Sequence, residues 1–126
     1  MVPEVKNMFK KFDIPEEIVK ESLKILESSA KTGKIRKGTN EVTKAIERKT
    51  AFLVYIAEDV NPPEIVMHLP LLSEENKISY TFVPTKDELG KAAGLKVGSA
   101  AIAIVDAGES KQSLKGLNSK LAELKK

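Results

Sequence analysis

Four groups of residues carry what chemistry this chain offers: the paired carboxylates Glu58-Asp59 and Glu74-Glu75, the single His68, and a cationic stretch from Lys34 to Arg48. Paired carboxylates serve as acid and base when their surroundings push their pKa values apart. Neighbouring residues on a helix do not face each other, however, and carboxylates that follow a strand commonly cap the next helix. His68 lies four residues after Glu64, which on a helix makes a surface contact more often than a catalytic dyad. The sequence has no cysteine, no second histidine and no serine in a strand-to-helix elbow. Nucleophilic catalysis and thiolate or multi-histidine metal sites therefore have no residues to stand on. The glycines between Gly90 and Gly98 match neither a Walker A loop nor a dinucleotide fingerprint. The expectation is a protein that is not an enzyme and that uses no metal or cofactor.

The cationic stretch is different in kind. It reads Lys-Ile-Arg-Lys-Gly-Thr-Asn-Glu-Val-Thr-Lys-Ala-Ile-Glu-Arg, with Lys34, Arg36 and Lys37 before a turn at Gly38 and Thr39. A helix then opens, capped by Thr39 or Asn40, whose polar face carries Asn40, Lys44 and Arg48 at four-residue spacing. Helix N-termini already bear free amides and a partial positive charge, so cations placed just before one point to a polyanionic partner. Glu41 lies inside this patch. A carboxylate weakens phosphate binding but accepts hydrogen bonds from base amino and imino groups, so the mixture fits base reading better than bulk charge neutralisation. A capped surface helix with solvated charges accounts for the same spacing. A second feature is the glycine-flanked loop Leu95-Lys96-Val97. Its two apolar residues either tuck into the core or, exposed, hold an unstacked base, with Lys86 nearby for a phosphate.

The elements that must position these residues follow from patterning. At 126 residues, 41% hydrophobic and 31% charged, the chain is one globular domain with a sizeable core. Its net charge of +3 permits a nucleic-acid partner without requiring one. There is no signal-peptide pattern at the N-terminus and no apolar run long enough for a membrane span, so a cytoplasmic protein is expected. Residues 1–12 read as a short arm. Asp13 reads as an N-cap for a helix ending near Ala30, and a short strand follows at Ile35 to Lys37. Ala51 to Ala57 is continuously apolar, like a strand covered on both faces, and ends in the proline-rich turn Glu58 to Pro63. A helix broken or bent at Pro70 follows, then a strand over Ile78 to Val83 and a helix capped by Thr85. An apolar strand over Ala100 to Val105 and a C-terminal helix from Ser113 complete the chain. Alternating strands and helices predict a three-layer α/β/α sandwich around a mixed sheet of about four strands.

The segment Gly38 to Arg48 closely resembles the kink-turn-binding ribosomal protein family, in particular its archaeal large-subunit branch. The likeness continues through Ile56-Ala57-Glu58-Asp59-Val60 with Pro62, His68-Leu69-Pro70-Leu71-Leu72 with Glu74-Glu75, and Leu89-Gly90 with Ala92 and Gly94. It spans roughly Pro15 to Ala107 in order. The resemblance implies an α/β/α sandwich binding kink-turn RNA, an internal loop with tandem sheared G·A pairs and one extruded nucleotide. It implies that Asn40, Glu41 and Lys44 contact the sheared pairs, that Lys37, Gly38 and Thr39 shape the approach, and that Arg48 assists. It places Asn61, Ile65, Lys86, Leu95, Lys96 and Val97 around the extruded nucleotide. It further implies the large ribosomal subunit, box C/D and H/ACA guide ribonucleoproteins and archaeal ribonuclease P as assemblies, with guide-particle core proteins as partners and a monomer when free. An adaptor that binds proteins through the same helix face is the rival reading. Three residues depart from the pattern: Lys49 stands where many relatives have glycine, Ser73 where they often have cysteine, and Lys96 where archaeal relatives often have glutamate. Lys49 and Ser73 are read as neutral for binding, and Lys96 as adding a phosphate contact.

Overall fold

Every residue from Leu53 to Ala57 is buried, and this is the strand on which the sheet is built. A computed structural model describes residues 16–59 and 64–124 of the chain. The elements run α1 (Glu16–Thr32), β1 (Lys34–Lys37), α2 (Thr39–Glu47), β2 (Leu53–Ala57), α3 (Glu64–Glu75), β3 (Ser79–Val83), α4 (Lys86–Ala92), β4 (Ala101–Asp106), a 3-10 turn (Gly108–Ser110) and α5 (Lys111–Leu124). The expected N-terminal arm, the cap at Asp13 and the prolines at 62 and 63 lie outside the described residues.

The sheet order is β1-β4-β2-β3, with β2 and β3 parallel and β4 antiparallel to both β1 and β2. Successive residues of a strand point to opposite faces, so each central strand feeds two cores. Val54, Ile56, Tyr80, Phe82, Ala101 and Ala103 pack under α2 and α3 with Val42, Ile46 and Leu69. Leu53, Tyr55, Ala57, Ile102 and Ile104 pack on the other face with Ile25 and Leu26 of α1, Leu89 of α4, and Leu114, Leu117 and Leu121 of α5. The result is a three-layer sandwich with a mixed four-stranded sheet. The edge strand β1 brings three cations in four residues, a composition that discourages pairing with another chain.

Two local features differ from the sequence reading. Of the bend or restart expected at Pro70, the restart does not occur, because α3 runs unbroken from Glu64 to Glu75. The residue that caps α2 is Gly38, with φ +94°, and no side chain bonds to the helix start. Thr39 and Asn40 are instead already helical, so the first turn is left open.

Helix ends explain the Lys49 departure. Beyond α2, the Lys49 amide donates to Ile46 O at 3.0 Å and the Thr50 amide to Ala45 O at 3.0 Å. Beyond α3, Lys77 and Ile78 repeat the pattern to Glu74 O and Ser73 O at 3.2 and 2.8 Å. These are paired C-terminal bonds of the kind that require a left-handed residue, which is usually glycine. Lys49 and Lys77 adopt it with φ +58° and +59°.

Candidate nucleic-acid interface

The residues singled out in the sequence meet at one edge of the sheet, where β1, β2 and β3 end and β4 begins. Backbone bonds join the segments there. The Gly38 amide donates to Ala101 O at 2.9 Å, Ala57 to Ala100 O at 2.9 Å, and Glu58 to Val83 O at 2.9 Å. Asp59 accepts from the Lys86 amide at 2.8 Å, and Ser99 donates to Lys86 O at 3.0 Å. The start of α2, the end of β2, the start of α4 and the loop before β4 are thus held against each other by main-chain geometry. Asp59 is part of this frame rather than of an acid/base pair.

α2 presents two faces. Val42, Ala45 and Ile46 are buried, and Asn40, Glu41, Lys44 and Arg48 are exposed. The first intrahelical bond runs from Val42 N to Gly38 O at 2.9 Å, so the amides of Thr39, Asn40 and Glu41 precede the helical ladder. Lys44 Nζ lies 3.6 Å from Glu41 Oε2, with both side chains more than half exposed (56% and 53%). An exposed pair of this kind contributes little to stability and is free to exchange partners. The opposite side of the first turn is pinned: Thr43 Oγ1 donates to Thr39 O at 2.8 Å and lies 3.0 Å from His68 Nε2. With the single hydroxyl proton used on Thr39 O, Thr43 accepts from His68, which assigns the ring proton to Nε2. His68 therefore braces α2 from α3, a role that spacing along one helix does not reveal because its partner lies 25 residues away.

The loop after α4 is fixed as firmly. Gly94 at φ +81° donates to Lys91 O at 3.0 Å and Leu95 to Gly90 O at 2.9 Å, the same paired termination seen at α2 and α3. Leu95 is half-buried against the cluster that contains Leu89, as the apolar residue of this motif should be. Lys96 and Val97 point outward, and Val97 is 72% exposed. The two loop apolars therefore divide the alternatives between them: Leu95 is tucked in and Val97 is offered to solvent. Lys86 and Lys37 are exposed along the same edge, while Gly38 and Thr39 are half-buried beneath it. Asn61 and the side chain of Ile65 lie outside the described residues.

Of the three cations that precede the turn at Gly38, one enters the lining beside α2. Arg36 on β1 joins Glu41, Lys44, Ala45, Arg48, Thr50 and Val105 around a cavity of about 250 Å³ flanking α2. The signal was there in the strand's period of two, which turns Arg36 toward α2 and Ile35 toward α1. The other acidic pair is remote: Glu74 accepts from the Tyr80 hydroxyl at the far end of α3. Burial, followed by that bond and the carboxylate's charge, raises the Tyr80 pKa. Among the described residues no cluster of three or more His, Cys, Asp or Glu is placed to hold a metal, and no helix is long and apolar enough to cross a membrane.

The arrangement combines free amides, an amide side chain, a carboxylate and a lysine on one wall with an exposed valine on the other. Comparison with known proteins places the chain in a family. Residues 20–114 match the ribosomal protein L7Ae/L30e/S12e/Gadd45 family. The chain belongs to that family. It is 52% identical over 118 residues to large ribosomal subunit protein eL8 of Haloquadratum walsbyi (strain DSM 16790 / HBSQ001), covering 94% of this chain and 98% of the relative. Its fold matches the structure of the Giardia lamblia 15.5kD RNA binding protein with a TM-score of 0.86 at 30% identity, over 98% of this chain and 99% of that one. Both relatives are matched nearly end to end, so the α/β/α sandwich is the family's fold.

Proposed function

We propose that this family member is a non-enzymatic RNA-binding protein of the large ribosomal subunit that recognises kink-turn motifs and stabilises their kinked form. The observation that carries the reading is the exposed face Asn40, Glu41 and Lys44, set by main-chain bonds beside the exposed Val97. Glu41 accepts from base amino or imino groups, Asn40 donates and accepts, and Lys44, released from Glu41, reaches a base edge or phosphate. Val97 offers an apolar contact to a nucleotide out of the stack. The names of the two relatives, a large-subunit protein and an RNA binding protein, support the same partner class. Lys37, Gly38, Thr39 and Arg48 frame the approach, and Asn61, Ile65, Lys86, Leu95 and Lys96 complete the nucleotide pocket. Box C/D and H/ACA guide ribonucleoproteins and ribonuclease P are further assemblies in which such a motif binder serves, with core proteins recognising the joint surface of protein and RNA. The free protein is a cytoplasmic monomer on this reading.

The test is a gel-shift titration of a kink-turn RNA against the same RNA with its G·A pairs made Watson–Crick. Strong preference for the first is expected. Equal affinity sinks the base-reading role, and no binding to either leaves the protein-adaptor reading in its place.

A further inference from the structure

The first turn of α2 carries one hydrogen bond more than a helix requires. Thr43 Oγ1 donates to Thr39 O at 2.8 Å, an ordinary back-bond for a threonine inside a helix. The acceptor side of the same hydroxyl is filled from another helix, by His68 Nε2 at 3.0 Å. His68 is exposed, and where water competes for both partners a hydrogen bond adds little to stability. Beneath this contact Val42, Ile46 and Leu69 are fully buried in one cluster, so α2 and α3 are already joined through the core.

What the contact reaches is the open end of the helix. The carbonyl of Thr39 and the amide of Asn40 belong to one planar peptide unit, with C=O and N–H pointing in opposite directions. Held at its carbonyl, that unit aims its N–H out of the helix start, before the first rung from Val42 N to Gly38 O. No side chain caps this end, so nothing there competes for the Asn40 amide. Donors and acceptors thus form one line, from His68 Nε2–H to Thr43 Oγ1–H to Thr39 C=O, ending in Asn40 N–H. In such a chain each bond polarises the next by roughly 10–30%. Both the tilt of the peptide plane and the donor strength of its amide are therefore set from α3. We infer that His68, acting through Thr43, is a positioning residue for RNA binding: it presents the Asn40 amide, as a strengthened donor, to an acceptor atom of the kinked RNA beside the G·A pairs. This rests on the kink-turn reading and deepens it, assigning part of the affinity to a main-chain group and to a histidine that does not itself touch the RNA.

The experiment uses the full chain, titrated with a kink-turn RNA, and reads the Asn40 amide proton of the free protein by NMR. Thr43→Val cuts the line in the middle and His68→Leu removes its source, while Thr43→Ser and His68→Gln keep a hydroxyl and a donor at the same places. Thr43→Val and His68→Leu should each weaken binding about three- to tenfold, the worth of one net hydrogen bond. The double variant should bind no worse than the weaker single one, because both changes break one line. The two retaining variants should bind within about twofold of the natural protein. The Asn40 amide proton should move upfield in the disrupting variants and hold its place in the retaining ones. A brace that serves stability alone gives another result: losses that track the fall in urea midpoint, with the Asn40 resonance unmoved, and this overturns the inference. Natural affinity in His68→Leu, or losses that add in the double variant, overturn it as well. Should His68→Leu not fold, Thr43→Val against Thr43→Ser makes the same comparison. Failure of the kink-turn reading is separately visible, as equal affinity of the natural protein for this RNA and its Watson–Crick version, whereas the Asn40 resonance tests the line of bonds without RNA.

Discussion

Gly90→Ala should both destabilise the fold and displace the recognition loop. Gly90 lies buried inside α4, where replacing glycine with alanine ordinarily stabilises a helix by about 1 kcal/mol. Here a Cβ would stand 2.1 Å from the carbonyl oxygen of Val97, with Gly98 Cα at 3.0 Å. An ordinary contact begins near 3.4 Å, so the loop must retreat by more than 1 Å. The atom in the way is main chain and cannot rotate aside. Overpacking of this sort costs about 1–3 kcal/mol, which exceeds the propensity gain and leaves a net loss on the order of 1 kcal/mol. The displaced residue is Val97, so affinity for kink-turn RNA should fall further than stability, with the dependence on G·A pairs retained because α2 is untouched. Urea unfolding and gel-shift titration of the same variant measure the two effects. A variant stabilised by about 1 kcal/mol with undiminished RNA affinity refutes the argument that close packing of α4 places the loop.

Glu41→Ala should cost about 1–3 kcal/mol of binding, confined to RNA with intact G·A pairs, when titrated beside the Watson–Crick control. Val97→Ala should weaken binding by about 1 kcal/mol with an unchanged urea midpoint, because its side chain contributes almost nothing to the core. Lys49→Gly should raise stability by about 0.5–1 kcal/mol, the left-handed cost of a lysine less the extra chain entropy of glycine, as read in urea unfolding. Stability should also fall in alkali. Tyr55 is fully buried and its hydroxyl donates to Ser22 O in α1, and burial holds its pKa well above the ordinary value. The unfolded chain therefore loses this proton near pH 10 while the folded protein keeps it. Tyr55 contributes nothing to the pH dependence below that pH and a decline of about 1.4 kcal/mol per pH unit above it, until the folded state ionises. Tyr55→Phe should flatten part of that decline in urea midpoints taken from pH 9 to 11.

The apolar runs told most of the fold in advance. Continuous burial of Leu53–Ala57 and Ala101–Ile104, the Thr85 cap accepting from Glu88 N at 3.1 Å, and the leucine row of α5 all follow from local pattern. Pairing order did not, because the sheet joins β1 to β4 across more than sixty residues of intervening chain and no local period encodes that choice. The cap of α2 lies one or two positions before the residues that the sequence suggests, for a related reason. Thr39 and Asn40 have good capping side chains, yet Gly38 is anchored to Ala101 O from across the sheet, and that tertiary bond fixes where the helix begins. At the site, the exposed face of α2 was legible from its four-residue spacing. The Thr43–His68 brace and the cavity that Arg36 shares with α2 each depend on a neighbour distant in sequence and were not.

The glycine cap of α2 bears on how the cost of binding is divided between protein and RNA. A side-chain cap on α2 would occupy an amide of the first turn and would have to be displaced by a ligand. A glycine cap leaves those amides open, and the bond to Ala101 holds the turn in place without using them. The facing loop is likewise fixed by bonds to Gly90, Lys91 and Lys86. With both described walls built before binding, little ordering of the protein is left to oppose association. The conformational change then falls on the RNA, whose kinked population rises only by the difference in affinity between its kinked and extended forms. Single-molecule distance measurements on a fluorophore-labelled kink-turn should accordingly show the RNA folding as protein is added. Amide exchange in α2 and in the 94–99 loop should already be slow in the free protein, and fast exchange there that becomes slow only with RNA would show that the protein shares the ordering.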